Sequence, residues 1–115
     1  MKTLKLTKAE SVAYKNGKRR FWRAMRPKPL EVDPGVWRWE AGKDGRFIST
    51  AFTVNSIVRR DEILPFCPYG KPGDRIDLYR YYPEPPFRLI ENLPITAITV
   101  EQRGGKWGWV VEVGA

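Results

Sequence analysis

Apolar and polar positions along this chain alternate in short bursts, each cut off by Gly, Pro, Asn or Asp. Leu4-Lys5-Leu6 alternates over three residues and predicts a first short strand. Thr7 with Glu10 three residues later has the spacing of a capping box, in which each residue's side chain satisfies the other's backbone N–H. It predicts a helix from about Lys8 to Lys15, with Ala9, Val12 and Ala13 toward the core and Asn16-Gly17 ending it. The segment from about Lys18 to Met25 reads as extended, and Pro27 and Pro29 close it.

The rest of the chain follows the period of two. Asp33-Pro34-Gly35 is a turn, and Val36-Trp37-Arg38-Trp39-Glu40 alternates as a strand. Gly42-Lys43-Asp44-Gly45 connects it to a returning strand from Arg46 to Phe52. Between Thr53 and Leu64 the signal is weak, and Ser56 to Arg60 suits either a turn of helix or a strand. Lys71-Pro72-Gly73-Asp74 fits a type II turn, with Gly taking the positive φ and Arg75 expected to pair with a nearby carboxylate. A strand from Ile76 to Tyr81, a Pro-rich break from Tyr82 to Pro86, and strands from Phe87 to Ile90 and from Pro94 to Glu101 come next. Gly104-Gly105 turns the chain into a last strand from Trp107 to Val113. No repeat, low-complexity tract or linker interrupts this order, so residues 1–115 read as a single α+β domain, mainly β. About six to eight short strands and one N-terminal helix predict a small curved sheet or β-barrel. Trp37, Trp39, Trp107 and Trp109 are expected in its core, as is Cys67.

Composition narrows the chemistry. The 115 residues carry 21 Lys plus Arg against 13 Asp plus Glu, a net +8. That balance favours an anionic partner, nucleic acid first and an acidic protein next. Histidine is absent and Cys67 is the sole cysteine, which removes Ser-His-Asp and Cys-His nucleophile pairs, Cys/His zinc sites and any intramolecular disulfide. No cofactor or metal is expected. No apolar run approaches the roughly 18 residues of a membrane span. The charged N-terminal residues lack the apolar core of an export signal, and a reducing cytoplasm is the expected compartment.

The charge is not spread evenly. Lys15, Lys18, Arg19, Arg20, Arg23, Arg26 and Lys28 put seven cations and no acid into fourteen residues, with Phe21 and Trp22 among them. Cations that neutralise phosphates together with rings that stack on bases are the equipment of single-strand and RNA binding. A solvated strand face is the plainer alternative. Strand alternation places Phe21 and Trp22 on opposite faces, so one of the two belongs to the core. Tyr79, Tyr81 and Tyr82 around Arg80 form a second aromatic and basic cluster, suited to a cleft wall or to an edge strand.

Three blocks resemble the ASCH domain of the PUA-like superfamily, and within it the proteins encoded by phages and prophages. Lys18 and Arg23 stand at the spacing of the family's G-x-K-x4-R motif, followed by Arg26-Pro27-Lys28-Pro29; the motif's first Gly falls on Asn16. Cys67 to Arg75 is the second block, and Pro94 to Glu101 with Trp107 to Glu112 the third. Arg80 stands where phage relatives have an acid, and the helical insertion usual after the Val-Glu strand is missing. The resemblance implies a small PUA-like barrel in a host bacterial cytoplasm. It also implies a cleft that binds RNA or single-stranded nucleic acid through Lys18, Arg20, Trp22, Arg23 and Arg26, with Tyr79 and Arg80. Some members hydrolyse N4-acetylcytidine with the motif Lys, a Thr three residues on and a downstream Glu. Here the third residue after Lys18 is Phe21, and the downstream acid would lie in or near the missing insertion, so an amidohydrolase keeps Lys18 and loses two partners. A module that binds an acidic host protein through the same basic face is the third possibility.

Overall fold

A computed structural model of the chain describes residues 2–53, 60–80 and 88–114. In chain order they form β1 (Thr3–Lys5), α1 (Lys8–Lys15), β2 (Arg20–Ala24), β3 (Leu30–Asp33), β4 (Val36–Lys43) and β5 (Arg46–Thr53). A short α2 (Arg60–Ile63) with a 3-10 turn (Leu64–Phe66) precedes β6 (Arg75–Arg80), β7 (Arg88–Arg103) and β8 (Lys106–Val113). The fold is α+β and mainly β. Among the described residues the strands form two open sheets rather than a closed barrel: a mixed sheet in the order β1-β6-β7-β8-β2 and an antiparallel sheet in the order β3-β4-β5. Closure would require β1 and β2 to pair, and with three and five residues they remain the short edges of the larger sheet. The chain divides into two compact units, one of residues 1–21, 68–98 and 111–115 and the other of residues 22–67 and 99–110.

In the first unit α1 forms as its capping box dictates. Thr7 Oγ1 accepts from the Glu10 N–H (3.1 Å) and Glu10 Oε1 from the Thr7 N–H (3.0 Å). The helix stops where Gly17 takes a φ of 98°. Its buried residues, however, are Ser11 and Tyr14, while Ala9 and Val12 face solvent. The reason lies across the sheet: the Tyr14 hydroxyl donates to Glu91 Oε1 on β7 at 2.5 Å, and that bond turns the Ser11/Tyr14 side inward. β1 runs parallel to β6 and β6 antiparallel to β7, and Leu4, Leu6, Phe21, Ile76 and Leu78 are fully buried. The expected type II turn is present, with Gly73 at φ 96° and the Asp74 N–H donating to the Lys71 carbonyl (3.0 Å). Among the described residues Arg75 pairs with no carboxylate. It donates to the Asn92 side-chain oxygen and backbone carbonyl, and Asn92 Nδ2 donates in turn to Asp77 (2.8 Å).

β7 corrects a further expectation. The two predicted strands on either side of Asn92 are one strand, Arg88–Arg103. Pro94 does not break it, because the missing N–H is not needed there: Pro94 pairs with Arg75 and its carbonyl accepts the Gly114 N–H (2.9 Å).

In the second unit β3 is an unforeseen strand. The two-residue Pro34-Gly35 turn folds it onto β4, with Gly35 at φ 78°. Asp44 and Gly45, both at positive φ, make the tight turn into β5, which pairs with β4 from Val36↔Thr53 to Lys43↔Arg46. Trp39, Trp107 and Trp109 are buried as expected, and Trp37 is half-buried. Their rings meet edge to face: Trp37 and Trp107 at 5.4 Å, Trp39 and Trp109 at 5.7 Å, Phe52 and Trp107 at 4.8 Å between centroids. Cys67 is buried with them. No helix among the described residues is long and apolar enough to cross a membrane. The expectations for residues 54–59 and for Tyr81 to Phe87, with Tyr82 among them, lie outside the described residues.

Candidate nucleic-acid interface

The basic run folds into three pieces. Lys15, Lys18 and Arg19 lie at the end of α1, Arg20 and Arg23 on β2, and Arg26 and Lys28 on the loop between β2 and β3. Lys18 is exposed, its Nζ 5.9 Å from the centroid of the Phe21 ring. Arg19 lies over the Tyr14 ring at 4.0 Å and donates to the Tyr14 (2.9 Å) and Lys18 (3.0 Å) carbonyls. It thereby satisfies carbonyls that the helix end leaves open. Arg20 faces Glu112 at 3.7 Å. Arg23 is half-buried and donates to the Trp22 carbonyl (2.7 Å). Much of the run is thus held by the fold itself.

The Phe21 and Trp22 ambiguity is resolved by β8. Phe21 is fully buried. Trp22 is half-buried, its Nε1 donates to the Glu101 carbonyl (3.0 Å), and its ring lies so close over Gly108 that a Cβ there would sit 2.2 Å from Cε2. One face and the N–H of this indole are therefore committed to packing.

Lys18, Arg20, Tyr79 and Arg80 fall in the first unit, and Trp22, Arg23 and Arg26 in the second. Within the first unit the sheet order sets β7 and β8 between β6, which carries half-buried Tyr79 and Arg80, and β2, which carries Arg20. At the usual strand spacing that separation is about 14 Å. The structure does not bring Tyr79 and Arg80 beside Arg20.

Arg26 is brought to a cavity. In the second unit a cleft of about 700 Å³ opens between the Ala24–Glu31 segment, Trp37 and the start of β8. The segment is pinned near its start and at its middle. The Met25 N–H donates to the Trp107 carbonyl (3.0 Å), and Trp39 Nε1 donates to the Pro27 carbonyl (2.8 Å), next to a cis Arg26–Pro27 peptide. Arg26, Lys28 and Lys106 supply three cations to the lining against one acid, Glu31. Trp37, half-buried, supplies a ring. The volume is that of a small-molecule site. Cations around a partly open indole suit a planar, anionic ligand.

Reasoning from sequence passed over Lys28, Trp37 and Lys106. Lys28 lay inside the cationic run and was legible as charge. Trp37 and Lys106 carried no such signal, because only the β3–β4 hairpin and the Gly104-Gly105 turn bring them to the loop. Among the described residues no group of three or more His, Cys, Asp or Glu side chains is placed to hold a metal ion. No family model, curated protein or solved structure matches the chain.

Proposed function

We propose that this protein binds nucleic acid, RNA or single-stranded DNA, in the cleft between the Ala24–Glu31 segment and the start of β8, and that it is a PUA-like protein of the ASCH type. One observation carries the binding reading: Arg26, Lys28, Lys106 and the half-buried Trp37 line one cleft of about 700 Å³. Phosphate oxygens would be held by the cations and a base would stack on the indole. The ASCH reading rests on the sequence blocks, with Lys18 and Arg23 on either side of the junction between a capped helix and a strand. Binding is favoured over N4-acetylcytidine hydrolysis because the position that would need a catalytic hydroxyl is Phe21, a fully buried core residue.

Fluorescence anisotropy of labelled RNA and DNA oligonucleotides, titrated at several salt concentrations, tests the reading. Binding at low salt is expected to weaken with a log–log slope of about −0.7 per neutralised phosphate. Lys28→Ala/Lys106→Ala should then reduce the slope by about 1.4, the two lost contacts each contributing that increment. Absence of binding at low salt, or an unchanged slope in the double variant, refutes it. Lys18→Ala/Arg23→Ala, measured alongside, reports whether the motif residues share in binding.

A further inference from the structure

A second cleft, of about 560 Å³, is lined by Pro27, Lys28, Leu30, Val32, Arg38 and Glu40. It shares Pro27, Lys28 and Leu30 with the first. The strand register places the two clefts on opposite faces of the β3–β4 ribbon. Glu31 pairs with Trp37 on the face of the first cleft, and Leu30 pairs with Arg38 on the face of the second. β3 is an edge strand, so the way from one face to the other runs around its open side, past Lys28 and Leu30.

The outer face is built unlike ordinary solvated strand. Leu30 and Val32 are 66% and 53% exposed. Val32 is the extra residue of a bulge: Glu31 pairs with Trp37 and Asp33 with Val36, which leaves Val32 no cross-strand partner. Two residues apart on one strand, Val32 puts a second apolar group beside Leu30 in the cleft lining. Along the strand the two lie about 6.6 Å apart, room for a flat group on each. Arg38 is held ready beside them, its Nε on Glu40 (3.1 Å) and its Nη2 on Ser49 (3.1 Å).

We propose that the ligand is a single strand that passes around the edge of β3, one nucleotide seated in the Trp37 cleft, the backbone crossing Lys28, and the next bases lying on Leu30 and Val32 beside Arg38. This rests on the nucleic-acid reading and goes further, since it excludes a duplex and a lone nucleotide as the full ligand. A turn around a ribbon about 10 Å thick is open to a flexible strand. It is closed to a double helix, whose persistence length is about 50 nm. The cationic side chains at the crossing and on the outer face match a phosphodiester backbone, and the apolar ones match base faces.

The experiment compares the full chain with Val32→Ser and Val32→Ser/Arg38→Ala, since Val32 and Arg38 line the second cleft and not the first. The probes are a labelled single strand of about ten nucleotides, its duplex and a competing mononucleotide, with polyglutamate as a second competitor. The expected result is a single strand bound at least tenfold more tightly than the duplex. Both variants should lose about tenfold for the strand, from lost apolar contact with the bases, with mononucleotide competition unchanged. Val32 is an exposed residue, so its replacement leaves the core intact. Duplex binding equal to single-strand binding, variants that bind the strand like wild type, or displacement by polyglutamate as effective as by nucleic acid would each overturn the inference. If the strand binds in a Lys28/Lys106-dependent way but ignores the outer-face variants, only this inference falls. If no strand binds at all, the proposed function falls with it.

Discussion

Gly108→Ala should be costly for a reason written in a single distance. Gly108 is buried on β8, and a Cβ at its position would lie 2.2 Å from Trp22 Cε2, 2.3 Å from Nε1 and 2.6 Å from Cζ2. Carbon atoms in contact settle near 3.5–4.0 Å, so the indole must retreat by about 1.4 Å. Such a retreat strains or breaks the Nε1 bond to the Glu101 carbonyl. Overpacking costs about 1–3 kcal/mol and the bond about 1 kcal/mol, while the stiffer unfolded chain returns roughly 0.5 kcal/mol. A net loss of about 2–3 kcal/mol is expected, on the order of 10 °C in Tm for a domain of this size. Urea denaturation of wild type, Gly108→Ala, Trp22→Leu and the double variant measures it. Once the large ring is gone, the added methyl should cost little, so the double variant should be about as stable as Trp22→Leu alone. Costs that simply add, or a Gly108→Ala protein within about 0.5 kcal/mol of wild type, would refute the placement of Trp22 over β8.

Two further outcomes are expected. Burial first, and then the bond to the Glu91 carboxylate, raise the Tyr14 hydroxyl above its ordinary pKa of 10.0. The stability it contributes is present below about pH 10 and is lost as pH rises through the raised value. Tyr14→Phe should therefore cost about 1–2 kcal/mol at neutral pH and flatten the alkaline loss of stability seen in urea melts of wild type. Parallel alkaline limbs would count against a raised Tyr14 pKa. Cys67, fully buried, should resist an aromatic disulfide reagent in the native protein and react with about one equivalent in denaturant. Labelling at the unfolded rate under native conditions would contradict its burial.

What could be read from the residues was what neighbours in sequence decide. Thr7 and Glu10 announce α1, and Lys71-Pro72-Gly73-Asp74 and Asp44-Gly45 announce their turns, since a few backbone torsions settle each. Which of Phe21 and Trp22 is core could not be read, because alternation treats them alike. The deciding residue is Gly108, 86 positions beyond Trp22. The buried side of α1 was misread for the same reason: Val12 is the more apolar residue, but Glu91 on a distant strand holds Tyr14. At the cleft, local density of charge pointed to Arg26. Trp37 and Lys106 arrive through tertiary pairing, and no spacing along the chain encodes them.

The rings of the second unit carry one more consequence. Trp37, Phe52 and Trp107 sit edge to face in a handed array at 4.8–5.4 Å, and Trp39 and Trp109 form a second such contact at 5.7 Å. Indoles so close transfer excitation among themselves and couple their transitions, which gives a strong near-ultraviolet circular dichroism that vanishes when packing is lost. Trp37 lies both in that array and in the lining of the cleft. A base stacked on Trp37, as proposed, would quench the excitation that Trp107 passes to it, and its binding could then be followed without a dye.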